Sequence, residues 1–213
     1  MKWYLIRPPR IYRWLFSEAI FRGPKEKNTV YLTFDDGPHP EATDHVLRVL
    51  ESHGVKATFF LLGKNAKKYA ELVNRIRKEG HMTANHGMNH LNGWDTDTST
   101  YLDDVQKGEE QIGSAVFRPP YGKLGFWQYL RLRKKVKIVF WDVISGDFDE
   151  KADGNQVVRN VLTKTRNGSI IVMHDSRKAL PNLKASLNEI ITQLSEKGFS
   201  FGTIDNLLEH KIV

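Results

Sequence analysis

The sequence predicts an α/β fold built on a parallel sheet. Short β-rich segments alternate with amphipathic helical stretches from residue 29 onward, and no linker, low-complexity tract or sequence repeat interrupts the rhythm. Several of the short segments are apolar at successive positions, as strands buried on both faces are. At 213 residues and 40% hydrophobic, the chain is long enough to bury a full core as one domain. On these grounds alone the sheet is either open and doubly wound or closed into a barrel.

The elements follow in order. Residues 1–28 are a basic, aromatic segment, and a domain is expected over 29–213. Its strands are expected at TVYLTF (29–34), KATFFLL (56–62), HMTAN (81–85), AVFRP (115–119), KIVFWDV (137–143), SIIVMH (169–174) and FSFGT (199–203). Between them, EATDHVLRVLESHG puts Val46, Leu47, Val49 and Leu50 on one side and stops at Gly54. NAKKYAELVNRIRKEG turns Tyr69, Leu72, Val73 and Ile76 inward and stops at Gly80, and LKASLNEIITQLSEKG does the same with Leu187, Ile190, Ile191 and Leu194. No glycine-rich phosphate loop follows any strand, which removes the usual support for nucleotide binding.

Charge and composition narrow the partners. The net charge is +7, which favours anionic surroundings without choosing among them. The chain has no cysteine, so disulfides and thiolate metal sites are excluded and any metal falls to His, Asp or Glu. No stretch is long and apolar enough to span a bilayer. Arg7-Pro8-Pro9-Arg10 interrupts the N-terminal segment early, so no cleavable signal is recognised and a cytoplasmic or membrane-peripheral protein is expected. That segment has two readings. It packs Trp3, Leu5, Trp14, Leu15 and Phe16 onto the domain, or it lies at a membrane surface with Lys2, Arg7, Arg10 and Arg13 at the headgroups.

In parallel α/β folds of either type, chemistry sits at the C-terminal ends of the strands. Ionisable residues gather there: Asp35-Asp36, His86 and His90, Arg118, Asp142 and Asp147, and His174-Asp175. The i, i+4 spacing of His86 and His90 puts two imidazoles on one face of a helical turn. With Asp36 or Asp35 they make a two-His, one-Asp set for a metal with open positions. The pair in TFDDGP reads as a turn by composition. Its place directly after a buried strand reads instead as a division of labour, one acid on a cation and the other free to take a proton from water. His174 suits proton donation to a leaving group, with Asp147 or Asp142 to orient it. Arg118 is suited to keeping an aspartate ionised.

The segments TFDDGP, HGMNH, RPPYG, WDVISGDF and IIVMHD, in this order, resemble the NodB-homology polysaccharide deacetylases, carbohydrate esterase family four, over about residues 29–210. The resemblance implies a distorted (β/α)7 barrel and a metal-dependent hydrolase that removes acetyl groups from sugars. It assigns Asp36, His86 and His90 to the metal, with zinc first and cobalt or nickel next. Asp35 becomes the general base held by Arg118, and His174 the general acid oriented by Asp147. The Tyr121 N–H binds the oxyanion, while Val172 and Phe148 line the acetyl pocket. Three positions depart from the family pattern. Gly87 stands where Ser or Thr is usual, Phe148 where Trp is usual, and Val172 where Leu is usual. The first is expected to loosen the histidine loop.

The function implied is N-deacetylation of a GlcNAc-containing glycan such as peptidoglycan or a chitin-type oligomer. The alternatives are O-acetyl esterase activity and a glycan-binding pseudoenzyme. Nucleic acid is not an expected partner, because the basic run RLRKKVK (131–137) lacks interleaved aromatics. Trp94, just after the histidine pair, either stacks on a sugar or caps a hydrophobic cluster.

Overall fold

The fold was analysed in a computed structural model that describes residues 6–209. Eight strands form the sheet: β1 (Thr29–Asp35), β2 (Thr58–Leu61), β3 (Met82–Asn85), β4 (Val116–Phe117), β5 (Lys137–Ile138), β6 (Val143–Ile144), β7 (Ile170–His174) and β8 (Ser200–Phe201). They run β5-β4-β3-β2-β1-β7-β6, with β8 beside the start of β1, and every strand pairing is parallel. β5 and β6 do not pair, so the ring stays open between them as a distorted barrel. The expected strand at 137–143 is therefore two short strands. Its middle turns aside: Val139 bridges to Ile20, and Asp142 N–H donates to the Ile170 carbonyl.

The helices are α1 (Arg10–Leu15), α2 (Pro40–Ser52), α3 (Gly63–Lys68), α4 (Ala70–Lys78), α5 (Thr98–Ile112), α6 (Phe126–Leu132), α7 (Gly154–Lys164), α8 (Leu180–Glu196) and α9 (Ile204–Glu209). α2 starts at a proline in its first turn, where the missing N–H costs nothing. Val46, Leu47 and Leu50 are buried beneath it, as the spacing predicts. The single helix expected over 65–80 is broken at Tyr69, whose φ of −121° and ψ of 49° end α3 and begin α4. Tyr69 itself is only half-buried, so the inward face runs through Val73 and Ile76.

Alternation along the strands separates two cores. Leu32 and Phe34 of β1, Phe59 and Leu61 of β2, and Ile171 and Met173 of β7 face the helices and pack with Leu183, Leu187, Ile190 and Ile191 of α8. Tyr31, Phe60, Ala84 and Ile170 face the barrel interior, where Ile20, Val116, Val139, Ile204 and Leu207 join them. Thr33 and Asp35, and Val172 and His174, take this interior side by the same alternation. The sheet thus delivers its last polar side chains to one end of the interior.

The N-terminal segment packs on the domain through Phe16, Ile20 and Phe21, all buried. Ile20 and Arg22 pair with Val139 and Ser169, spanning the gap that β5 and β6 leave. Trp14, Ile11 and Leu15 remain exposed on its outer side. The other residues proposed for packing or membrane contact, Lys2, Trp3 and Leu5, lie outside the described residues. No helix among the described residues is long and apolar enough to cross a membrane.

Candidate active site

β1 ends at Asp35, which is in register with His174 at the end of β7 and Phe60 in β2. Asp35 is buried, and its Oδ1 accepts a 2.7 Å hydrogen bond from Arg118 Nη1. The same nitrogen lies 2.7 Å from Thr33 Oγ1, while Nε and Nη2 donate to the carbonyls of Val139 and Phe140. The guanidinium lies 3.9 Å above the Phe60 ring centroid. Arg118 is thus a fully buried charge whose donors are directed to fixed acceptors, one of them the Asp35 carboxylate.

Asp36 follows in the left-handed region at φ 76°, which breaks the strand alternation and brings both acids toward His86 Nε2, Asp36 Oδ1 at 3.6 Å and Asp35 Oδ2 at 4.0 Å. Asp36 Oδ1 also lies 3.1 Å from His90 Nε2. That oxygen is buried yet has no partner in hydrogen-bond geometry. Burial by itself raises the Asp36 pKa, but the His90 contact, with His174 and His86 nearby, outweighs burial and holds it well below the usual carboxylate range. His86 Nδ1 lies 2.8 Å from the Arg118 carbonyl, so this nitrogen carries the proton and Nε2 faces Asp36 with a free lone pair. Burial is the main cause that pushes the His86 pKa down to about 4, keeping the ring neutral. One ligand atom each from Asp36, His86 and His90 lies within 4.8 Å of the others. An orphaned carboxylate oxygen facing two imidazoles, one with its tautomer fixed, fits a divalent cation.

The two histidines are brought together by a loop, not by a helical turn as their spacing predicts. Gly87 takes φ 80° and His90 φ 65°, and the rings come to 5.1 Å between centroids. Asp104 of α5 anchors this loop: its carboxylate accepts from the N–H groups of Met88 and Asn89 and from Asn89 Nδ2. Asn85 adds a bond to Gly87 N–H. A Cβ on residue 87 would stand 2.8 Å from Asp104 Oδ2. Here glycine therefore permits the anchored loop, contrary to the expected loosening. Asp104 carries no sequence signal beyond an acid in a helix, so only the fold reveals its part in the loop.

His174 completes the cluster. Its Nδ1 lies 2.7 Å from Asp147 Oδ1, and its backbone N–H donates to Asp147 Oδ2 at 2.7 Å. Ser145 Oγ also donates to Asp147, which is wholly buried. Burial opposes charge on His174, but Asp147, with Asp36 and Asp35 beyond it, raises its pKa to about 9. The ring therefore holds a proton at neutral pH.

A family profile described as polysaccharide deacetylase matches residues 22–136. The chain belongs to the polysaccharide deacetylase family. A peptidoglycan-N-acetylglucosamine deacetylase of Bacillus cereus is 36% identical over 207 residues, 93% of this chain and 75% of that protein. The solved structure of the Bc1960 peptidoglycan N-acetylglucosamine deacetylase superposes with a TM-score of 0.87 at 34% identity, covering 94% of this chain and 96% of that one. The likeness also extends to a pseudoenzyme. Wild-type BA3943 from Bacillus anthracis, of the CE4 family, superposes at a TM-score of 0.79 and 26% identity over 89% of this chain and 68% of that one.

Within this polysaccharide deacetylase, the remaining predicted residues divide. Tyr121 lies at the same rim, with φ 59° and its ring 4.4 Å from that of His90. Phe148 sets its ring edge-on to His174 at 5.0 Å, and Val172 is buried one strand pair below. Asp142 does not belong to the site. It sits at the opposite end of the sheet, bound by Arg13, Arg166 and Ser169, so it is no candidate for orienting His174.

A further buried acid lies beneath the acid pair. Asp175 is buried, its carboxyl shares a hydrogen bond with Thr43 Oγ1, and Thr43 Oγ1 accepts from His39 N–H. Burial, first, and the nearby Asp36 and Asp35 raise its pKa well above the carboxylate range. A Cβ on Gly37 would collide with this carboxyl, so glycine is needed directly after the acids. Asn65 Nδ2 also donates to the Asp36 carbonyl. The left-handed turn at Asp36 is thus held from two sides.

Proposed function

We propose that the chain hydrolyses the N-acetyl group of a GlcNAc-containing glycan, using a divalent metal held by Asp36, His86 and His90. The reading rests on one observation above all: a buried Asp36 oxygen without a hydrogen bond faces two imidazoles while the adjacent Asp35 is bonded through its Oδ1 to Arg118. The Asp-His-His donor set suits zinc best, with cobalt and nickel as the next fits. Such an ion would polarise the acetyl carbonyl and lower the pKa of a water beside it.

The residues divide the proton work. Asp35, fixed by Arg118, takes the proton from the attacking water. The Tyr121 N–H donates to the oxygen that becomes negative, a contact worth about 3 kcal/mol in comparable sites. His174, kept as the imidazolium by Asp147 at Nδ1, gives its Nε2 proton to the departing nitrogen. An amine leaves poorly unless protonated, so a separate acid is required on the far side of the carbonyl. Phe148 and Val172 bound the space for the acetyl methyl, and Phe148 makes a smaller groove wall than an indole would. The relatives' names, which specify peptidoglycan N-acetylglucosamine, support the amide over the ester.

Acetate release is the test. The protein should release acetate from N-acetylated glycans, a chelator should abolish the release, and zinc should restore it. His174→Ala should lose far more rate on the amide than on an acetyl ester, whose alcohol leaves without help. Turnover of esters alone would sink the amide reading, and no release from any acetylated sugar would make the chain a pseudoenzyme.

A further inference from the structure

Seven large apolar side chains stand exposed among the described residues. Three lie on the N-terminal segment. The other four, Trp94, Tyr121, Phe126 and Trp127, lie on two segments next to the metal-binding histidines. Trp127 is 70% exposed and Trp94 59%, so folding gains little from either ring.

These segments are pinned to each other. Gln128 is buried, and its Nε2 donates to the carbonyls of Gly93 and Thr96 at 2.8 and 3.1 Å. Its Oε1 accepts from Gly125 N–H at 2.8 Å. The side chain therefore staples the loop that carries Trp94 to the start of α6, which carries Phe126 and Trp127. A Cβ on residue 93 would lie 2.5 Å from the Lys123 carbonyl, so the two backbones meet closely there. Asn92 Oδ1 accepts from Trp94 N–H at 3.1 Å and fixes the tip of the loop. Lys123 Nζ stands 5.2 Å from the centroid of the Trp94 ring and holds the indole by a cation–π contact. Phe126 and Trp127 meet edge to face at 5.8 Å. Tyr121, two residues before Lys123, joins this surface to His90.

We propose that Trp94, Phe126 and Trp127, with Lys123, form a platform for sugar units of the substrate chain beyond the one being deacetylated. The proposal rests on the carbohydrate reading of the site and deepens it by naming the side chains that hold the sugars beyond the reacting one. Pyranose rings present an apolar face of C–H groups that matches an aromatic ring, and their hydroxyls suit the donors of Lys123. Rigid aromatics with few torsions bind at low entropic cost. A buried glutamine with every donor and acceptor used keeps these rings in place without covering them.

The experiment compares N-acetylglucosamine oligomers, hexamer against dimer, in the wild type and in Trp94→Ala and Trp127→Ala. The readout is the ratio of kcat/KM on the hexamer to that on the dimer. The wild type should favour the hexamer, and each variant should lower the ratio about tenfold, with melting temperatures unchanged. A wild-type ratio near one, or variants that leave the ratio as it was, would overturn the platform. A second arm needs no turnover: Asp35→Asn protein should be retained on insoluble peptidoglycan, and adding Trp94→Ala and Trp127→Ala should release it. Undiminished retention would also overturn the proposal. Absence of acetate release with retention that depends on the tryptophans would defeat the deacetylase reading and leave the platform standing.

Discussion

Asp35 and Asp142 are both buried aspartates gripped by arginine, at opposite ends of the same sheet. Asp142 is saturated. Arg166 forks onto both of its oxygens at 3.0 and 2.7 Å, Arg13 adds 2.9 Å and Ser169 adds another 2.9 Å. These partners come from the N-terminal segment and from the turn before β7, so the cluster ties the segment to the barrel. At the other end the accounting is left open. Asp35 has Arg118 on one oxygen, and its neighbour Asp36 keeps a buried oxygen without a hydrogen bond. The non-glycine residues with positive φ among the described residues, Asp36, His90 and Tyr121, are all here. One end spends its charges on holding the fold, while the other holds strain and an unpaired charge ready for a ligand.

Substitution at each end should separate the two roles, with the largest effect at the open end. Asp35→Asn should lower kcat on an acetylated oligomer about a thousandfold, and because it leaves the buried Arg118 guanidinium without its carboxylate it should also lower the melting temperature. Asp142→Ala should leave turnover intact. It leaves two arginines without their carboxylate and should cost about 3 kcal/mol of stability by denaturant unfolding, while kcat per folded molecule stays within about twofold. Acid sharpens the contrast. Burial raises the Asp142 pKa, but Arg166 and Ser169 outweigh it and depress the folded-state value. Its stabilisation is therefore complete above the unfolded aspartate pKa of about 3.9 and is lost as pH falls through the lower folded value. Equal loss of turnover per folded molecule in both variants would erase the distinction.

A smaller effect reads the proton on His174 directly. In metal-free protein, NMR titration should place this imidazole at about 9, against about 6.5 for an unperturbed histidine. Asp147→Asn removes the nearest charge and should lower the value by more than about one unit. Stability linked to this group has the opposite sign to that of Asp142. It is fully present below the unfolded pKa of about 6.5 and lost as pH rises through about 9. A His174 that titrates normally would mean that the Asp147 contact does not hold in solution.

Most of the barrel was legible because its signals are local. Runs such as Val30–Phe34 and Ile170–Met173 can only be buried strands, and the spacing of Leu187, Ile190, Ile191 and Leu194 fixes the buried face of α8. The acids and histidines of the site were legible from their motifs and strand-end positions. What escaped depends on long-range contacts. Nothing local says that Val139–Asp142 leaves the strand to meet the N-terminal segment, and so Asp142 looked like a site residue. Tyr69 breaks a helix whose periodicity continues across it. The i, i+4 histidines suggested a helical turn, because spacing cannot distinguish that from a loop held by an aspartate on a helix that begins later in the chain.

That loop gives the smallest and most discriminating prediction. Gly87 lies at φ 80°, where a side chain is strained, and a Cβ would press on Asp104 Oδ2. Gly87→Ala should cost about 1 kcal/mol of stability, much less than Asp142→Ala. Its effect on metal should be out of proportion to that cost. The loop carries both histidines, so its displacement should weaken zinc binding about tenfold, measured by competition with a chromogenic chelator. Asp104→Asn, which keeps the shape but weakens the acceptor for Met88 and Asn89 N–H, should shift zinc affinity in the same direction with a smaller loss. A loop that tolerates both changes at unaltered affinity would mean that His86 and His90 are positioned by their own packing, His86 through the Arg118 carbonyl and His90 against Tyr121. The open end would then owe its geometry to the arginine that also holds Asp35, and the two ends of the sheet would differ only in what their arginines leave unpaired.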